Sequence, residues 1–241
     1  MKYMGSKARI AKELLPIILK DRLERQYYVE PFCGGCNIMD KVDGNRIAND
    51  SNSYLISMWK SLTTGWQPPL IIERDFYNEV RNCYNTKNGL FNDDLIGWVG
   101  FMGSYNGRFF DGGYSGHSVK INGGFRDYIG ESIRNILHQV DSLKGVSFLS
   151  VDYKDLVLPS CSIIYCDPPY NGVKKYNYSI NNEEFWNWCR SKVDEGHKVF
   201  VSEYNAPNDF VCIWEHTVKT AINQIITKHA TEKLFIHNSQ V

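Results

Sequence analysis

Five short runs rich in β-branched and aromatic residues, at 27–30, 46–49, 146–149, 162–166 and 198–202, are spaced by segments of helical periodicity. Short apolar runs bounded by turn residues are the mark of buried strands, and their alternation with helices predicts an α/β chain with a largely parallel sheet. Weaker strand signals follow at 210–213 and 233–236. Ahead of the first strand, Ile10, Leu14, Ile17 and Ile18 recur at helical spacing within 10–23, which predicts an opening helix.

The stretch 53–144 breaks this alternation, being helical at first and rich in glycine and aromatic residues from 97 to 125. Loops of that length are uncommon inside a compact domain, so it reads as a mainly helical inserted subdomain. The expected organisation is a core of residues 1–52 and 145–241 carrying an insert at 53–144. Within it, Asn106-Gly107 sits between aromatics in residues 104–110, a short-range hairpin signal.

The 241 residues are 43% hydrophobic and 22% charged, the composition of an ordinary folded chain rather than a disordered one. No apolar run approaches the ~18–20 residues of a membrane span, and the first residues lack a signal-peptide core, so a cytoplasmic location is expected. Lys plus Arg and Asp plus Glu both number 27. Any polyanionic partner must therefore meet a local positive surface. Seven cysteines without an export signal point to reduced thiols.

The densest chemistry lies in Asp167-Pro168-Pro169-Tyr170, directly after the run 162–166. Ligands of open α/β sheets bind at the carboxyl ends of strands. An aryl amine is a poor nucleophile because its lone pair is delocalised into the ring. A carboxylate and a fixed carbonyl, each accepting one amine hydrogen, draw that nitrogen toward tetrahedral geometry. Asp167 supplies the carboxylate, the Pro168-Pro169 unit a rigid backbone carbonyl, and Tyr170 a face for stacking an extruded base. Taken alone, the tetrapeptide also reads as a plain turn after a strand.

Glu30-Pro31-Phe32-Cys33-Gly34-Gly35-Cys36 follows the first strand and precedes a short helical run at 37–42. Glycines there permit close backbone approach to a ligand, or simply a tight turn. Asp50, in Ala48-Asn49-Asp50-Ser51-Asn52 at the end of the second strand, is placed to grip ribose hydroxyls or to cap a helix beginning near Ser53.

With Tyr3-Met4-Gly5-Ser6-Lys7, Asp152-Tyr153-Lys154-Asp155 and Ser202-Glu203-Tyr204, these motifs resemble the Dam-type DNA adenine-N6 methyltransferases in which the cofactor motif, the target-recognition insert and the Asp-Pro-Pro-Tyr motif follow in that order. The resemblance implies a doubly wound Rossmann-like sheet, S-adenosylmethionine as methyl donor and double-stranded DNA as partner, with no metal. It implies catalytic roles for Asp167, Pro168, Pro169 and Tyr170. Cofactor contacts are implied at Tyr3, Lys7, Phe32, Gly34, Asp50, Asp155 and Asp167, and DNA contacts at Tyr105, Asn106 and Arg108. Lys7 owes its assignment wholly to the resemblance, and the aromatics of 104–110 also read as packing for the insert's own core.

One departure stands out. The family's Phe-x-Gly-x-Gly reads Phe32-Cys33-Gly34-Gly35-Cys36, with Cys36 in the place of the second glycine. A side chain there is expected to require a backbone free of positive φ, or a shifted path. The change also creates a CxxC, which raises thiol–disulfide chemistry as an alternative activity. No second CxxC pair supports a zinc site. The same fold acting on cytosine N4, RNA or protein is a further alternative, although the resemblance associates those substrates more with Ser or Asn in place of Asp167.

Overall fold

A computed structural model describes residues 1–169, 181–221 and 227–241. Its strands and helices alternate as the sequence predicts. Seven strands form one mixed, mostly parallel sheet: β1 (Tyr28–Glu30), β2 (Arg46–Asn49), β5 (Ser147–Leu149), β6 (Ile163–Cys166), β7 (Lys198–Ser202), β8 (Phe210–Ala221) and β9 (Thr227–His237), in the order β5-β2-β1-β6-β7-β9-β8. The remaining two, β3 (Val119–Ile121) and β4 (Gly124–Arg126), form a separate antiparallel hairpin. The helices among the described residues are α1 (Ala11–Ile18), α2 (Ser53–Thr63), α3 (Arg74–Thr86), α4 (Asp93–Gly103), α5 (Tyr128–Leu143) and α6 (Asn182–Asp194). This is the expected α/β, Rossmann-like class. No helix of the described residues is long and apolar enough to cross a membrane.

The chain packs as two compact units. The first, Met1–Ala11 with Cys33–Asp152, holds the parallel pair β2 and β5 and all of residues 53–144. Its helix α2 starts where the Asn52 side chain accepts the Leu55 N–H, and it buries Leu55, Ile56, Met58, Trp59 and Leu62 on one face. The cap at this helix is thus Asn52 and not Asp50. Helix α5 begins at Asp127, whose carboxylate accepts the Gly130 N–H at 2.7 Å. At its far end the buried Arg46 guanidinium donates to the carbonyls of Ser142 at 2.7 Å and Lys144 at 2.9 Å, neutralising the terminus where unpaired carbonyls gather.

The second unit, Lys12–Phe32 with Tyr153–Val241, holds β1, β6, β7, β9 and β8. Strands β1, β6 and β7 are parallel, and β7–β9 and β9–β8 are antiparallel. Ile164, Cys166, Val199 and Val201 meet Phe185, Trp186 and Cys189 of α6 in its core.

Two local expectations differ. The helical run at 37–42 is a single 3₁₀ turn, Met39–Lys41. The segment 104–110 is not a hairpin. Asn106 (φ 56°) and Gly107 (φ 65°) do form the left-handed turn that Asn-Gly favours, but Ser104 ends α4 and Phe110 is buried, leaving no flanking strands beyond one bridge from Ser104 to Tyr114. The regular hairpin lies at a second Asn-Gly, Asn122-Gly123, between β3 and β4.

Candidate functional site

The glycine loop in the first unit is held by the end of β2. Cys33 N–H donates to the Asn49 carbonyl at 2.8 Å, and Gly34 N–H to Asp50 Oδ2 at 3.0 Å. Asp50 Oδ1 accepts the Asn52 N–H at 2.9 Å. Burial raises the Asp50 carboxyl above the ordinary aspartate range, and the two backbone N–H bonds oppose that rise. Each oxygen keeps a second lone pair, so the carboxylate has capacity for two further donors.

Tyr3 packs onto this loop. A Cβ on Gly34 would lie 2.6 Å from the Tyr3 ring and one on Gly35 2.7 Å from its Cβ, so only glycine fits at either position. The Tyr3 ring also meets Phe101 at 5.9 Å between centroids. Lys7, which composition alone would put on the surface, is 6% exposed, with its Nζ 3.4 Å from the Gly5 carbonyl. Tyr3, Gly34 and Asp50 are therefore brought together in one loop cluster.

Cys36 adopts φ +53°, so the first of the two expected outcomes, a backbone free of positive φ, does not hold. The chain accepts left-handed backbone at a residue with a Cβ, at a cost of about 1–2 kcal/mol. Cys33 and Cys36 are both buried, and neither is joined in a disulfide. Reactive thiols need exposure and a lowered pKa, so burial of both disfavours the thiol–disulfide alternative, for which nothing else speaks.

In the second unit, Asp167 and Pro168 follow directly on β6, a strand buried along its whole length. Asp167 is half-buried and Pro168 buried, so the carboxylate emerges at the carboxyl end of a central parallel strand. Tyr165, buried on β6, shares a 2.8 Å hydrogen bond with Ser202 of β7, tying the two strand ends. Burial and the nearby Asp167 push its phenol well above the usual range. Tyr170 lies outside the described residues. Phe32 packs against Tyr153 (5.2 Å) and Phe185 (5.9 Å). Asp155 closes the 3₁₀ turn Tyr153–Asp155 and is exposed.

The candidate DNA-contacting residues lie on the left-handed turn after α4. Gly107 is obligatory there, since its Cβ would come within 2.2 Å of the Lys2 carbonyl. Phe109 and Phe110 pack with Tyr84 and Phe101, which gives these aromatics their structural role. Tyr105 and Asn106 are exposed, Tyr105 by 48%. Both line a cleft of about 190 Å³ with Lys2, Arg126 and Tyr128. The Arg126 guanidinium lies 4.7 Å from the Tyr128 ring centre and forms a two-pronged pair with Glu131 (2.7 and 2.9 Å), which draws the Glu131 carboxyl down to about 2. Arg108 is paired with Asp111.

Lys2, Arg126 and Tyr128 were not singled out from sequence. The signal was present in the Asn122-Gly123 turn flanked by Val119, Ile121 and Phe125, which exposes Phe125 by 72% beside Arg126. Among the described residues no cluster of three or more His, Cys, Asp or Glu could hold a metal.

Residues 3–90 match the family model described as D12 class N6 adenine-specific DNA methyltransferase. A curated relative, the Type II methyltransferase M.FokI of Planomicrobium okeanokoites, is 24% identical over 215 residues, covering 79% of this chain. The chain spans 31% of the length of that relative.

Proposed function

We propose that this chain transfers a methyl group from S-adenosylmethionine to the exocyclic N6 of adenine in double-stranded DNA. The observation that carries most weight is Asp167-Pro168-Pro169 at the carboxyl end of buried β6, in a chain whose residues 3–90 are similar to the adenine-N6 methyltransferases. The core is residues 1–52 and 145–241, and 53–144 serves target recognition. The setting is the cytoplasm.

The loop chemistry fits the cofactor. Gly34 and Gly35 leave the backbone bare of side chains, and Asp50 is a carboxylate with free lone pairs beside them. Asp50 holds the ribose hydroxyls. Tyr3, Lys7, Phe32, Gly34, Asp155 and Asp167 complete the contacts. When bound, the cofactor supplies an electrophilic methyl group on a sulfonium.

The residues of this chain do the rest. The target adenine is extruded from the duplex at a cost of a few kcal/mol, as an order of magnitude. Asp167 accepts one N6 hydrogen and a carbonyl of the Pro168-Pro169 unit accepts the other, which frees the nitrogen lone pair for in-line attack, and N6 gives up one proton during or after the transfer. Tyr170 stacks on the base. Fixed acceptors aimed at charge developing on N6, together with alignment, provide the acceleration without a covalent enzyme intermediate. Tyr105, Asn106 and Arg108 meet the DNA.

The test is incubation with S-adenosylmethionine labelled in its methyl group and unmethylated genomic DNA. Retention of label on DNA is expected. Label that stays off DNA while the chain binds cofactor overturns the choice of substrate, and absence of cofactor binding overturns the whole assignment.

A further inference from the structure

Helix α5 buries Ile129, Ile133, Ile136 and Leu143, the spacing of an apolar face. Position 139 falls on that face, where an aliphatic residue is expected, yet it carries a glutamine that is 7% exposed. Its Nε2 lies 3.3 Å from the Gly35 carbonyl, 3.3 Å from the Cys36 carbonyl and 3.4 Å from Asn37 Oδ1. Its Oε1 accepts from the Met1 amino nitrogen. Two carbonyls require a donor, which fixes the amide with its NH₂ toward the loop.

The loop is thus gripped from two sides. Asp50 and the Asn49 carbonyl hold its N–H groups, while Gln139 holds the carbonyls on either side of the strained Cys36, at φ +53°. A buried amide is costly unless hydrogen-bonded; the Cys36 carbonyl also accepts the Asp40 N–H at 3.1 Å, and an apolar residue at 139 would take the Gln139 donor from the Gly35 carbonyl, on the peptide that enters Cys36.

We propose that Gln139 is a positioning residue for cofactor binding, its amide holding Cys36 in the left-handed backbone that a glycine adopts unaided and so fixing the loop that meets the cofactor. This rests on the assignment of residues 33–36 to the cofactor. It links α5, a helix of residues 53–144, to the side chain that stands at position 36.

Calorimetric titration of S-adenosylmethionine into the full chain and into Gln139→Leu, Cys36→Gly and the double variant tests it. Gln139→Leu is expected to raise the dissociation constant about tenfold, and adding Cys36→Gly to bring it back within about threefold of wild type, because glycine needs no help at positive φ. Unchanged affinity in Gln139→Leu overturns the proposal, as does a loss that Cys36→Gly fails to relieve, which would mark Gln139 as a packing residue only. Should Gln139→Leu not fold, a folded and binding double variant supports the proposal and an unfolded one overturns it. A wild-type chain that binds no cofactor overturns the cofactor assignment itself, and this proposal with it, whereas wild-type binding with an unaffected Gln139→Leu overturns the proposal alone.

Discussion

Asp167 sits where a carboxylate is both anchored and accessible, directly after a strand buried along its length. On the proposed mechanism, Asp167→Ala removes one of two acceptors for the amine hydrogens without touching the core. Turnover should fall on the order of 10²–10³-fold, the usual loss for one preorganised electrostatic partner, while thermal unfolding stays near wild type. Steady-state methylation kinetics check this, and near-normal turnover in the folded variant would remove Asp167 from the chemistry. Asp50→Ala loses the tie to Gly34 and, on the proposed function, the charge-assisted bonds to the ribose, so cofactor affinity should drop about tenfold to a hundredfold by calorimetry.

The raised Asp50 carboxyl also gives a pH signature. Cofactor affinity should fall as pH drops through a value above that of free aspartate, and Asp50→Asn should flatten that limb of the profile. For folding the sign is opposite. A carboxyl raised in the folded state disfavours folding at neutral pH, and that cost lessens as pH falls. At this scale the placement of Asp167 and Asp50 at the ends of strands was legible, because each follows an apolar run in a short motif. Gln139 was not, because its partners lie about a hundred residues away in sequence, and on its own helix it looks like a lapse in the apolar stripe.

At the scale of elements, Arg46 joins β2 to the end of α5, donating to two carbonyls beyond the reach of the helix's own hydrogen bonds. Arg46→Met keeps the bulk and loses the donors. It should cost about 2 kcal/mol, the range for charged hydrogen bonds, and lower Tm by about 4–8 °C in a chain of this size. Calorimetric unfolding measures it, and an unchanged Tm would show that α5 ends without this cap. Strands β2 and β7 fall where the apolar runs predicted, because both are buried and their pattern reports that burial. The expected runs at 210–213 and 233–236 caught only part of β8 and β9. Glu215, His216 and Thr217 are exposed, so the ribbon there is held by backbone pairing and leaves no apolar alternation to read. The Asn106-Gly107 turn was recognised correctly as a turn. Its flanks were not, because Phe109 and Phe110 turn inward into an aromatic cluster that no local pattern announces.

For the whole molecule, net charge is zero, so the proposed affinity for DNA must come from a local surface. Arg108 is the sharpest probe, since it lies on the turn beside exposed Tyr105 and Asn106 and is paired with Asp111. If it reads a guanine, Arg108→Ala relaxes site choice by ~1–3 kcal/mol; if it meets a phosphate, all sequences weaken alike and the salt dependence becomes shallower by about one unit. Cofactor affinity should not change. DNA binding and site preference that both survive the substitution would move recognition elsewhere in 53–144. The identity of the methylated atom decides the proposed function, and mass-spectrometric analysis of nucleosides from DNA treated with this chain and S-adenosylmethionine reads it directly. N6-methyldeoxyadenosine, lost in Asp167→Ala, is the expected product, and N4-methyldeoxycytidine in its place would overturn the assignment of adenine N6.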